Sequence, residues 1–175
     1  MITPVELRAI RQYFFLTPAE IAEEIGKTGE EWEQYEVGTS RIPLRRVEMA
    51  LYRLARWRAK TSAKIFNHMV DHGRQTRAVL LWYDRKEDMP GNVSTARWRI
   101  HQSICAEHIA NERTILQSRI VTFDPIDYAY WLAENRHQAD TEATRAMWAK
   151  TRIESGRHTL HTPSPRFHPP LRAHH

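Results

Sequence analysis

The residues best suited to chemistry in this 175-residue chain are its 10 histidines and single cysteine. His68 and His72 stand one helical turn apart, and His101, Cys105 and His108 recur at intervals of four and three, so each set shares one face of a helix. Two such side chains one turn apart can share a tetrahedral zinc ion. A complete site needs further ligands, and neither a His-Glu-x-x-His motif nor a Cys-x-x-Cys pair supplies them. Half-buried helix faces account for both sets, with Cys105 acting as a small buried hydrophobe. No metal and no cofactor is expected. The chain also has no glycine-rich phosphate loop, no Gly-x-Ser-x-Gly elbow and no motif joining a nucleophile to a base. The expectation is therefore a binding protein, not an enzyme.

What could be bound is suggested by charge. The net charge of +5 conceals an uneven distribution: residues 1–43 hold 4 Lys/Arg against 8 Asp/Glu, whereas residues 44–74 hold 8 against 2. Any attraction to phosphates must come mainly from residues 41–64. There is no run of 18 apolar residues and no charged-then-apolar leader, which points away from membranes and export. One cysteine cannot form an intrachain disulfide, which suits a reducing compartment, and a cytoplasmic location is expected.

The elements that would carry a binding surface are marked by their caps. Thr3-Pro4-Val5-Glu6, Thr17-Pro18-Ala19-Glu20 and Thr28-Gly29-Glu30-Glu31 each place Thr at a helix start with Glu three residues on, the spacing of a capping box. The last two flank Gly26, where the chain must leave one helix and turn. Ile21, Ala22 and Ile25 recur at helical spacing on the first of this pair, as do Trp32 and Tyr35 on the second. The stretch from Leu16 to Gly38 is a helix-turn-helix, braced by a preceding helix with Leu7, Ile10 and Phe14 on its apolar face. After the loop through Pro43, a helix from about Leu44 turns Val47, Leu51, Leu54 and Ala55 inward and is ringed by arginine and lysine.

The order Leu16-Thr17, Ile21-Ala22, Ile25-Gly26, Trp32, Tyr35-Glu36-x-Gly38 and Pro43 resembles the Cro/repressor-like helix-turn-helix family. The resemblance implies that the segment from Thr28 is a recognition helix, with Gly29, Glu30, Glu33 and Gln34 turned toward the major groove of double-stranded DNA. Gln34 would pair with adenine, and Glu33 or Glu30 would accept from cytosine N4. Thr17, Lys27, Thr28, Arg41, Arg45 and Arg46 would hold phosphates. Four glutamates, Glu30, Glu31, Glu33 and Glu36, lie on this segment, and phosphates repel them.

The remainder reads as α+β. Strands are expected over 76–83 and 113–123, with helices from Ser94 or Thr95 to about Asn111, from Asp124 and from Asp140 or Thr141. The last two carry Tyr128, Trp131 and Leu132, then Ala143, Met147 and Trp148, on their apolar faces. Trp98-Arg99-Ile100-His101-Gln102-Ser103, Phe123-Asp124-x-x-x-Tyr128-x-x-Trp131-Leu132-Ala133 and Met147-Trp148-Ala149 resemble the YdiL-like family. That family is similar in layout to anti-CRISPR-associated autorepressors, in which a helix-turn-helix precedes a dimerisation domain. The fold class expected is mainly α, an N-terminal helix-turn-helix bundle (1–73) followed by a small α+β dimerisation domain (74–150). Residues 151–175 hold four of the nine prolines and five of the ten histidines and read as a disordered basic tail.

The aromatic residues Trp82, Tyr83, Trp98, Tyr128, Tyr130, Trp131 and Trp148 could form a base-stacking platform for RNA, but core and interface fit their spacing better. Self-association is expected to use Trp82, Ile120, Val121 and Trp131. The function expected is a homodimeric, sequence-specific DNA-binding repressor acting on an inverted repeat. The alternative is a protein-interaction module, such as the antitoxin of a toxin–antitoxin pair, whose acidic helix meets a basic partner.

Overall fold

The computed structural model describes residues 2–71, 79–111, 119–135 and 139–156, with the side chains of 66–71 excepted. Helices α1 (Pro4–Tyr13), α2 (Pro18–Glu23) and α3 (Gly29–Val37) begin at the three predicted caps. In each, the Thr hydroxyl accepts from the backbone N–H three residues on, and the Glu carboxylate accepts from the Thr N–H at 2.7 to 2.9 Å. Gly26 turns the chain after α2 with φ +66°, a conformation that strains any residue with a Cβ. Helix α4 (Leu44–Asp71) is one continuous helix; Gly73 lies outside the described residues. Its inner stripe is Val47, Ala50, Leu51 and Leu54, while Ala55, expected inside, is exposed. Ala50 lies between Val47 and Leu54 on the helix and shares their face; Ala55 lies beyond its edge.

The second half is mainly helical around a small sheet. Strands β1 (Val79–Trp82) and β2 (Arg119–Thr122) pair in parallel, Leu80 opposite Ile120 and Leu81 opposite Val121, and helix α5 (Thr95–Asn111) crosses between them. Each strand ends one residue before the expected end, at Trp82 and Thr122; residues 76–78 and 113–118 of the expected strands lie outside the described residues. Helices α6 (Pro125–Glu134) and α7 (Glu142–Glu154) follow. Two strands alone make an unstable sheet, so helices must cover it.

Buried apolar residues form two clusters. The first joins α1 to α4 through Leu7, Phe14, Ile21, Trp32, Tyr35, Val47 and Leu54, and takes in Ala96, Ile100 and Ile104 of α5. The second gathers Tyr83, Val121, Phe123, Tyr128, Trp131, Trp148 and Ala149. Helix α5 is therefore buried on two sides: its opposite surface gives the Trp98 indole and the Gln102 amide as donors to the Tyr83 carbonyl at 2.7 and 3.0 Å.

The second cluster encloses a cation. Arg145 is 7% exposed, donates twice to Asp140 at 2.6 Å and lies over the Phe123 ring at 4.4 Å. On α7, Arg145, Trp148 and Ala149 face inward, whereas Ala143 and Met147 are exposed, which corrects the predicted face. An arginine counts as polar in a pattern, yet its planar fork can be buried when it stacks on rings and meets a carboxylate. Helix α7 also runs past Lys150, where the tail was expected to begin. Ile153 packs on the second cluster and Arg152 pairs with Asp127 at 2.6 Å, so the helix is held to Glu154. Residues 157–175 lie outside the described residues.

Ile104 is fully buried in the first cluster, next to Cys105 at the second. Ile104→Ala is expected to lower stability by about 2–5 kcal/mol. Urea unfolding followed by far-UV circular dichroism and by tryptophan fluorescence should keep one shared transition; two separated transitions would show that α5 does not couple the clusters.

Candidate nucleic-acid interface

Helix α3 packs Trp32 (1% exposed) and Tyr35 (6%) inward. Glu30, Glu33, Gln34 and Val37 face solvent as an outer stripe. Val37, 67% exposed, was missed in the sequence, although the same three-and-four spacing that marks a buried stripe marks this outer one. Gly29 is not on this outer face. A Cβ there would stand 3.1 to 3.3 Å from the N, Cα and Cβ of Ala19, so at Gly29 α3 lies close against α2.

The four glutamates of the helix divide into two classes. Glu31 closes the Thr28 cap and takes the Lys27 ammonium at 2.6 Å; the Lys27 bond and the cap hold its carboxyl below the usual range. Glu36, read in the sequence as one of the repelling charges, is buried at 6% exposure. It follows Trp32 by four residues and so shares the inner face. Arg11 grips it with two bonds at 2.6 and 2.8 Å, the Trp32 indole donates at 2.6 Å, and Arg8 stands 3.6 Å away. Burial alone would raise the Glu36 pKa, but the bonds from Arg11 and Trp32 and the charges of Arg11 and Arg8 together lower it. The acidity exposed on α3 beyond the cap is thus Glu30 and Glu33, half of what the sequence suggests.

Of the predicted phosphate-holding residues, Thr17 caps α2, and Lys27 and Thr28 stand at the start of α3. Arg41, Arg45 and Arg46 are exposed, and the Arg46 charge acts on Lys27, so the start of α4 lies near the start of α3. The hydroxyls of Thr17 and Thr28 accept from their cap N–H groups at 3.2 Å and keep their own protons to donate. Gln34 accepts from the Ser40 hydroxyl at 2.8 Å, a bond it must release to present both ends of its amide to adenine.

On the cysteine–histidine face of α5, Cys105 is fully buried. Cys105 and His101 approach to 3.8 Å, but burial pushes the thiol up to about 12 and the imidazole down to about 4, leaving both neutral. No three His, Cys, Asp or Glu side chains converge among the described residues; His68, His72 and the tail histidines lie outside them or have no described side chain. Of the seven aromatics, Tyr83, Tyr128, Trp131 and Trp148 are buried, Trp82 and Trp98 half-buried, and Tyr130 exposed, which describes a core and not a stacking platform.

A family model described as Aca2/YdiL-like matches residues 2–117, which takes in the first cluster and all of α5 and stops before the aromatic anchors of α6 and α7. No curated protein matches the chain.

Removing one partner of the Arg11–Glu36 pair leaves the other charge buried and alone. Arg11→Ala or Glu36→Ala is expected to cost about 3–5 kcal/mol in urea unfolding. Because the folded Glu36 pKa is lowered, its ionised form stabilises the fold above about pH 4.3, and that contribution is lost as pH falls through the folded value. Glu36→Gln should flatten the acid side of the stability–pH curve; an unchanged acid limb would contradict the assignment.

Proposed function

The chain belongs to the Aca2/YdiL-like family, and from that membership we propose that it is a sequence-specific DNA-binding regulator, a homodimeric repressor of the anti-CRISPR-associated autoregulatory type. The observation that carries the proposal is the outer stripe of α3, Glu30, Glu33, Gln34 and Val37, beside the exposed Arg41, Arg45 and Arg46. Polar ends that can read base edges and an apolar residue that can meet a thymine methyl stand next to cations that can hold phosphates. With Glu31 and Glu36 already paired, phosphate repulsion is confined to two side chains placed where they could select cytosine. The action proposed is binding, without a catalytic step, and the compartment proposed is the cytoplasm. No helix among the described residues is long and apolar enough to cross a membrane.

One short recognition helix makes few base contacts, and two-fold pairing doubles them at half-sites about 34 Å apart or a multiple of it. Of the residues expected to mediate pairing, Val121 and Trp131 are consumed by the second cluster. Ile126 (69% exposed), Tyr130 (70%), Met147 (49%) and Ile120 (39%) leave apolar surface on the same half. Tyr130→Glu together with Ile126→Glu is expected to turn a dimer into a monomer in sedimentation equilibrium without a change in helix content.

The DNA reading is tested by selecting duplexes from a random library with the full chain, then titrating variants against the selected and a scrambled sequence at two salt concentrations. Gln34→Ala should cost about 1–3 kcal/mol on the selected duplex and little on the scrambled one. Arg45→Ala with Arg46→Ala should weaken both alike and flatten the salt dependence by about one unit of slope per lost contact. Selection that enriches nothing would replace DNA with a basic protein partner as the target of α3.

A further inference from the structure

Successive residues of a helix turn by ~100°, so Arg45, Arg46, Arg53, Arg56 and Lys60 all fall within an arc of about 100° on α4. That arc points away from the stripe of Val47, Ala50, Leu51 and Leu54, and all five side chains are exposed. From Arg45 to Lys60 the row is about 22 Å long at 1.5 Å per residue. None of the five makes an ion pair or side-chain hydrogen bond among the described residues. By contrast, Arg58, on the inner side of α4, pairs with Glu107 and lies over the Tyr13 ring at 4.4 Å, and Lys64, one turn beyond Lys60 on the same arc, stands 4.0 Å from Glu142.

A solvated helix face ordinarily interleaves opposite charges three and four residues apart. Here Glu48 is the one acid between Leu44 and Lys64, and it lies off the arc. Arg53 and Arg56 are separated by three residues, and Arg56 and Lys60 by four, so like charges adjoin and destabilise the helix. The row begins at Arg45 and Arg46, the charge of Arg46 reaching Lys27 at the start of α3, and runs on from there. A regular, unpartnered line of cations starting beside a DNA-reading helix complements a polyanion of matching length. About 22 Å of duplex presents on the order of a dozen phosphates.

We infer that the exposed ridge of α4, Arg53, Arg56 and Lys60 beyond Arg45 and Arg46, is a second, sequence-independent track for the phosphate backbone of double-stranded DNA. It extends the footprint past the half-site read by α3. The inference rests on the DNA reading above, and it assigns work to three residues outside that reading. The ridge binds charge and not bases, so it adds affinity and salt dependence without changing sequence preference.

The test uses the full chain carrying Arg53→Gln, Arg56→Gln and Lys60→Gln together, with a mixed-sequence duplex of about 30 base pairs titrated by fluorescence anisotropy over a range of KCl concentrations. The slope of log affinity against log salt should fall in magnitude by about 2 to 3. Arg53→Lys with Arg56→Lys, which keeps the charges, should retain the wild-type slope. The thermal melt of the Gln variant should match the wild type or lie above it, because repulsion along the helix is relieved. A Gln variant with the wild-type slope, while Arg45→Gln with Arg46→Gln lowers it, would overturn the ridge and leave the DNA reading standing. A wild-type chain that binds no duplex would overturn both.

Discussion

A carboxylate taken out of water has to be neutralised where it stands, and the placement of α3 depends on how this chain does so for Glu36. Arg11 brings a guanidinium from α1 to both oxygens, Trp32 adds an indole N–H from within α3, and Arg11 also donates to the Leu16 carbonyl at the entrance to α2. One cation thereby ties together three helices. Apolar packing alone lets helices slide over a range of crossing angles, whereas a two-pronged guanidinium–carboxylate contact fixes distance and direction. Arg8 adds a bond to the Glu36 carbonyl at 3.1 Å, so α1 is fastened to α3 at both backbone and side chain. The outer stripe of α3 is aimed by a charge pair on its inner side, in which the Glu36 side chain is 4% exposed and that of Arg11 13%. The second half uses the same device with the sign reversed, a buried Arg145 held by Asp140 inside a ring of aromatic side chains.

Helix α5 makes the two halves one structure. An ordinary surface helix needs one apolar stripe, but α5 buries Ala96, Ile100 and Ile104 toward the first cluster and presents Trp98, Gln102 and Cys105 to the sheet. Gln102 is consequently buried and bonded to the Tyr83 carbonyl instead of lying on a wet face. Arg99 reaches Glu20 of α2 at 3.0 Å and Ser94 reaches Glu24 at 3.2 Å, so the acid that closes the α2 cap and the one that follows α2 are also used to dock the second half.

Much of the fold was legible because caps are local. Thr, Pro and Glu at fixed offsets specify a helix start whatever surrounds them, and the starts of α1, α2 and α3 fell where the motif put them. Faces were harder, because facing depends on partners distant in the chain. Glu36 was counted as outward since a glutamate is ordinarily wet; its position four residues from Trp32 was the signal for the opposite. Arg145 was passed over on α7 in favour of Met147 for the same reason. Helix α5 has two inner faces, so no single periodicity describes it. Gly29 could be assigned to the outer surface only while the contact with Ala19 was unknown.

The position of α5 also governs when the molecule can fold during its own synthesis. The first cluster joins Leu7 to Ile104, so the helix-turn-helix lacks part of its core until more than 100 residues have left the ribosome. Domains commonly fold in order from the N-terminus as they are made. Here the N-terminal bundle emerges first but is completed late, with Leu54, Trp57 and their neighbours waiting for a helix made afterward. A translating chain interrupted before α5 carries every residue of the outer stripe of α3 and lacks part of the core that holds it in place.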